Sequence, residues 1–141
     1  MLLVVAATGA VLASIGELAS HAMQREKEKQ LLFAGQQYRE AIASYYNRTP
    51  GAVKRYPGSL AELLEDKRFP VPQRHLRRLY PDPVTGQAFA AVPSPEGGIM
   101  GVQSASGAAP VKTANFLLRD ADFTDTAKYS DWKFVYAPGA R

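Results

Sequence analysis

Two adjoining stretches decide how this chain is read: Met1–Gly16, "MLLVVAATGAVLASIG", and His21–Tyr46, "HAMQREKEKQLLFAGQQYREAIASYY". The first has no charge; Glu17 is the first ionisable side chain. As a helix it would span roughly 24 Å, short of the roughly 30 Å hydrocarbon layer of a bilayer. Thr8, Gly9, Ser14 and Gly16 dilute its apolar character, although small residues suit close helix packing in lipid. The run is still too long and too apolar to be one face of a surface helix.

The second stretch is amphipathic. Leu31, Tyr38, Ala41, Ile42 and Tyr45 recur near a 3.6-residue spacing, whereas Arg25, Glu26, Lys27, Glu28 and Lys29 form a polar turn of mixed sign. Residues 17–34 contain neither Pro nor Gly, and Gly35 is the one weak helix former up to Asn47. Pro50-Gly51 stops the pattern. One helix of about 45 residues is expected, far longer than the mean of about 11–12 in globular domains. Three roles fit the opening: a membrane and filament stem over residues 1–23, a signal peptide cut after Ala22, or a buried helix of a soluble domain. The signal peptide lacks a basic start, and its cleavage would split one continuous helix.

The rest of the chain predicts a small α+β body over residues 24–141. Ser59-x-x-Glu62 has the spacing of a capping box and opens a short second helix with Leu60, Leu63 and Leu64 on one face. "RHLRRLYPDPVTG" (Arg74–Gly86) is a turn-rich connector. Gln87–Val92, Ile99–Ser104 and Asp131–Ala137 read as antiparallel strands, the first two joined by the turn Pro93–Gly98. Trp132, Phe134 and Tyr136 alternate with Lys133 and Val135, and residues 105–128 read as a long loop. The predicted core is Leu31, Tyr38, Ile42, Tyr45, Leu60, Leu63, Leu64, Trp132, Phe134 and Tyr136.

Composition narrows the chemistry. The chain has 141 residues, no cysteine and a net charge of +4. That excludes disulfides and thiol-based sites and suffices for one domain with an appendage. Residues 1–80 carry 12 Lys/Arg against 7 Asp/Glu, and residues 81–141 carry 5 against 6. This modest asymmetry suits acidic surfaces, lipid headgroups or a protein partner, and is too small to argue for nucleic acid. With His21 on the stem and His75 in a basic turn, no histidine pair has metal-ligand spacing and no Ser-His-Asp set is readable. "GGIMG" (Gly97–Gly101) lacks the Lys-Ser/Thr ending of a phosphate loop and reads as a turn entering a strand. Lys67, Arg68, Arg74, Arg77 and Arg78 form a basic cluster, read as a solvated face or a contact for an acidic neighbour. Tyr38, Tyr45, Tyr46, Tyr56 and Tyr80 read as packing residues rather than base-stacking ones.

The order of five blocks resembles the type IV pilins and, more closely, the pseudopilin-like proteins of type II secretion systems. These are "QREKEKQLLFAGQQYREAIASYY" (24–46), "RYPGSLAELLED" (55–66), "RHLRRLYPDPVTG" (74–86), "GGIMGVQSAS" (97–106) and "YSDWKFVY" (129–136). The resemblance implies a pilin-like α+β fold and a non-catalytic filament subunit with no cofactor. It also implies a single pass through the inner membrane, with the body in the periplasm. Its partners would be other pseudopilin subunits through the stem, the assembly platform and membrane lipid, with no nucleic acid and no small-molecule substrate. Small residues Ala6, Ala7, Gly9, Ala10, Ala13 and Gly16 would then serve stem packing. Family members carry a basic leader and a Gly-Phe-Thr junction, so Met1 is expected to lie a few residues inside the mature chain; a member that has lost processing is the alternative. Major members bind calcium near the carboxyl end. Here Asp120, Asp122, Asp125 and Asp131 lack EF-hand spacing and a following bidentate Glu, and a solvated acidic loop is expected. The rival class is a soluble periplasmic or cytosolic basic binding module with a cleaved or misassigned amino terminus.

Overall fold

The computed structural model describes the backbone of residues 2–140 and the side chains of residues 16–140. The expected packing contacts of Ala6, Ala7, Gly9, Ala10 and Ala13 lie outside the described residues. The fold is α+β: one long helix lies across a three-stranded antiparallel sheet. Helix α1 (Leu2–Asn47) has 46 residues, about 69 Å at 1.5 Å each. Among the described residues, no helix is long and apolar enough to cross a membrane.

The carboxyl-terminal half of α1 buries Glu28, Leu31, Ala34, Gly35, Tyr38, Ala41, Ile42 and Tyr45. Their spacing of three and four residues makes one stripe down the helix. The stripe meets strands β2 (Ile99–Gln103) and β3 (Lys133–Val135), and β1 (Ala90–Pro93) pairs on the other edge of β2, in the order β1-β2-β3. All three strands are shorter than the runs read from sequence. β1 pairs from Ala90↔Gln103 to Val92↔Gly101, then a bulge takes Pro93 to Ile99. Pro93, which cannot donate a ladder hydrogen bond, sits at the end of an edge strand. The β1–β2 turn is the expected Pro93–Gly98 segment, closed by Ser94 N–H to Gly98 O at 2.9 Å. Gly98 has φ +79°, and a side chain there would strike the Tyr56–Pro57 backbone, to which Ile99 N–H donates at 2.8 Å.

The second helix is a correction. Leu60–Leu63 is a single 3₁₀ turn, and the Ser59 hydroxyl caps nothing. Glu62 still reaches back, but to Gly58 N–H at 2.9 Å, one residue before the expected Ser59 N–H, and its Oε2 also accepts the Tyr45 hydroxyl at 2.8 Å. The Tyr45 bond ties this turn to α1. Leu63 is fully buried, while Leu60 and Leu64 pack at the core's edge.

The long loop 105–128 is also more structured than expected. It contains a 3₁₀ segment, Leu118–Phe123, kinked at Asp120. Phe116 and Phe123 turn inward onto Trp132, at ring separations of 5.3 Å edge-to-face and 5.5 Å stacked. Phe123 also meets Phe134 at 5.0 Å. The Trp132 indole N–H is satisfied by Thr126 Oγ1 at 2.8 Å. Trp132 and Phe134 are fully buried and Tyr136 is half-buried at the sheet's end, as their alternation predicts. Leu76, Phe89, Val102, Phe123 and Tyr129 complete the core.

Two substitutions test this packing. Trp132→Ala is expected to cost about 3–5 kcal/mol in a urea melt through lost transfer energy and a residual cavity. An unchanged midpoint would show that the last strand is not packed as described. Gly35→Ala should raise helix propensity by about 1 kcal/mol, yet the methyl would overlap the Phe134 ring. Overpacking of about 1–3 kcal/mol should dominate and lower the melting temperature.

Candidate functional site

Buried charge sits at both ends of the packed half of α1. At the carboxyl-terminal end, Asp66 is 1% exposed. Its position is set by a bridge in which Asp66 N–H donates to Gln73 O at 2.7 Å and Gln73 N–H to Asp66 O at 3.1 Å. Arg68 binds the Asp66 carboxylate twice, Nε to Oδ1 and Nη2 to Oδ2, each at 2.8 Å. This fork holds the Asp66 carboxyl well below the usual carboxylate range, with help from a contact to His75. The same guanidinium donates to Tyr45 O and Thr49 Oγ1, each at 2.8 Å, and lies 3.5 Å from the Tyr45 ring centre. A cation thus caps the Tyr45 carbonyl in the last turn of α1. Arg68 therefore leaves the basic cluster expected from sequence. Lys67, Arg74, Arg77 and Arg78 remain exposed, with Arg78 over the Tyr80 ring at 4.8 Å.

His75 joins this knot to the helix. Its Nε2 lies 2.9 Å from Asp66 Oδ2 and its Nδ1 lies 2.8 Å from Ser44 Oγ. Ser44, His75 and Asp66 thus touch in the order of a nucleophile–base–acid relay, which sequence spacing did not reveal. Two features set it apart from the geometry of a hydrolase triad. Ser44 lies inside α1, where neighbouring N–H groups serve the helix and leave no pair aimed at an oxyanion. Asp66 shares its charge with Arg68 rather than reserving it for an imidazolium. The relay ties the 59–76 segment to the last turns of α1, reinforced by His75 and Leu76 N–H donating to Leu63 O.

At the other end of the packed half, Glu28 is 2% exposed. Its carboxylate accepts Val111 N–H at 2.6 Å, Lys112 N–H at 3.1 Å and the Tyr129 hydroxyl at 2.7 Å. Burial, then the hydrogen bond to this carboxylate, pushes the Tyr129 phenol up to about 12. Gln24, one turn earlier, donates to Ala109 O at 3.2 Å and Tyr129 Oη at 3.0 Å. Glu28, read from sequence as part of a solvated polar turn, therefore anchors the 105–128 segment. The signal in the sequence is its position three residues before Leu31, on the face that the apolar stripe buries.

The acidic residues near the carboxyl end do not converge. Asp120 is buried against Arg39 at 2.9 Å, Asp131 accepts Lys128 N–H at 3.1 Å, and Asp122 and Asp125 are exposed. Among the described residues, no group of three or more acidic or histidine side chains is placed to hold a metal ion. Tyr38 and Tyr45 are buried with hydroxyls on Tyr80 O and Glu62, and Tyr46 and Tyr56 pack against each other at 4.7 Å. No known protein family, curated protein or solved structure matches the chain.

The Asp66 knot predicts a pH response. Because its carboxyl titrates lower when folded, the stabilisation is complete above the unfolded value of about 3.9 and is lost as pH falls below it. Asp66→Asn should lower stability near neutral pH by about 3 kcal/mol, since Arg68 loses its counter-charge. It should also flatten the acid limb of a stability-versus-pH curve. An acid limb identical to that of the native chain would mean that Asp66 carries no linked charge.

Proposed function

We propose that the chain is a pilin-like structural subunit, a pseudopilin of a type II secretion filament, without catalytic activity. The start of α1 would anchor it in the inner membrane with the body in the periplasm, then pack among other stems once the assembly platform has moved it into a filament. Protein export would follow from the growth of that filament.

The observation supporting this reading is the division of α1. Among the described residues, Gln24 is the first side chain to hydrogen-bond to the body, and Gly16–Met23 are all exposed. Leu18 and Met23 are 70% and 64% exposed. Helical stability in proteins comes mostly from packing an apolar face, and this stretch has little of the body to pack on. A bilayer or neighbouring stems would supply the missing surface. The compact α+β body on the other half of the same helix agrees with the pilin-like architecture implied by the resemblance.

The tag-free chain is expected in the membrane fraction after high-salt washing. A version beginning at Arg25 should be soluble, because the core starts at Leu31. If that shorter version stays equally membrane-bound, the stem has been misassigned. Gly9→Leu is expected to preserve insertion and to weaken cysteine crosslinking between stems, because bulk at a small-residue face prevents close helix approach. Equal crosslinking and equal secretion by the native and variant chains would count against stem packing.

A further inference from the structure

We propose that the cleft bounded by Arg25, Lys29 and Lys112 binds a phosphate-bearing anion. The cleft is a cavity of about 470 Å³ between the first packed turns of α1 and the 111–115 segment. Asn115 has φ +63°, a left-handed conformation that Asn tolerates, and lies in the wall that faces the helix. Arg25 and Lys29 are four residues apart and therefore share a helix face, and Lys112 closes the cleft from the loop side.

The electrostatics favour an anion. None of the three cations has a carboxylate partner among the described residues. Glu28 is the one acidic residue in the wall, and its carboxylate is already engaged by Val111 N–H, Lys112 N–H and the Tyr129 hydroxyl. The contrast with the neighbouring basic feature is direct: the cavity beside Lys67 and Arg68 also has Glu62, Glu65 and Asp66 in its wall. Leu32 and Val111 give the Arg25 cleft an apolar side, which suits a phosphate carrying an organic ester.

Position suggests where the phosphate comes from, and this step rests on the membrane reading above. Arg25 lies nine residues beyond Gly16, about 13 Å along the helix axis. Headgroup layers add about 5–7 Å to each side of the hydrocarbon core. Cα–Cβ bonds in a helix tilt toward its N-terminus, so Arg25 leans toward the stem and its long side chain covers the remaining distance; Lys29 lies one turn, about 6 Å, further along the axis. Arg25 is then the end of the cleft that meets an acidic phospholipid headgroup first; a soluble phosphate ester offers the same chemistry.

Acetylation footprinting of the full chain separates these sources. The chain is mixed with vesicles of phosphatidylcholine alone, the same vesicles containing phosphatidylglycerol, or the neutral vesicles plus inorganic phosphate. Lysine modification rates are read by mass spectrometry. Lys27, which lines a groove on another face of α1, is the internal reference. Phosphatidylglycerol is expected to slow acetylation of Lys29 and Lys112 about fivefold more than that of Lys27, the scale of one cation's attraction to an acidic surface. Arg25→Gln, at an exposed position, should reduce that protection at both lysines. Equal protection by inorganic phosphate would assign the site to a soluble ester. Protection of Lys27 to the same degree, or no protection by either anion, would overturn the proposal. Retention on neutral vesicles reports the stem independently: a chain that stays in solution there counts against the membrane reading, while the phosphate arm still tests the cleft.

Discussion

The contact between Gly35 and the Phe134 ring sets the distance at which helix and sheet meet. A side chain at position 35 would occupy the space of the ring, so the helix approaches β3 as closely as backbone allows. Phe134 then reaches Phe123, which stacks on Trp132, which in turn meets Phe116 and Tyr129. A glycine in a helix interior weakens the helix by about 1 kcal/mol relative to alanine. That cost is offset here because the gap is filled by an aromatic ring, and burial of an aromatic side chain is worth more than one residue's helix propensity.

Around this contact the body is clamped by two buried carboxylates on opposite flanks. Glu28 lies on α1 and fastens the Val111 and Lys112 backbone; Asp66 lies on a connector and fastens that connector to α1 through Arg68 and His75. A third, Asp82, is fully buried and organises the Pro81–Gln87 turn. It accepts Val84 N–H, the Thr85 hydroxyl and the Ser104 hydroxyl at 2.6 Å, so that turn is tied to the end of β2. Each carboxylate holds a segment with little regular structure. Segments that lack a ladder of their own need such side-chain acceptors for their backbone N–H groups.

Legibility in the sequence followed periodicity. The stripe Leu31–Tyr38–Ile42–Tyr45 and the alternation Trp132–Phe134–Tyr136 repeat at 3.6 and 2 residues, and both were readable along with three strands and the hairpin turn. Strand ends were not, because the apolar runs continue past the residues that find ladder partners. Phe116 and Phe123 sit in a segment without a period, and only tertiary packing turns them inward. The buried acids escaped notice for a related reason. Glu28 is set among Arg25, Glu26, Lys27 and Lys29, and only its place three residues before Leu31, in line with the buried stripe, sets it apart. Ser44, His75 and Asp66 are separated by up to 31 residues and converge only because the 59–76 connector folds back on α1.

The described side chains of α1 thus fall into two regimes. From Leu31 onward the helix is held by an aromatic core. Before Gln24 the described side chains lie in the open, and the polar turn 25–29 separates the two regimes. That turn is also where the helix leaves the body, and there Gln24 and Glu28 grip the 109–112 backbone on one side of the Arg25–Lys29 pair. If the segment Gly16–Met23 were free to swing, strain at its root would fall on this turn. The hydrogen bonds of Gln24 and Glu28 oppose it by coupling the root of the helix to Tyr129 and so to the Trp132 core. A load applied along Gly16–Met23 would therefore pass into the best-packed part of the body rather than into a loop.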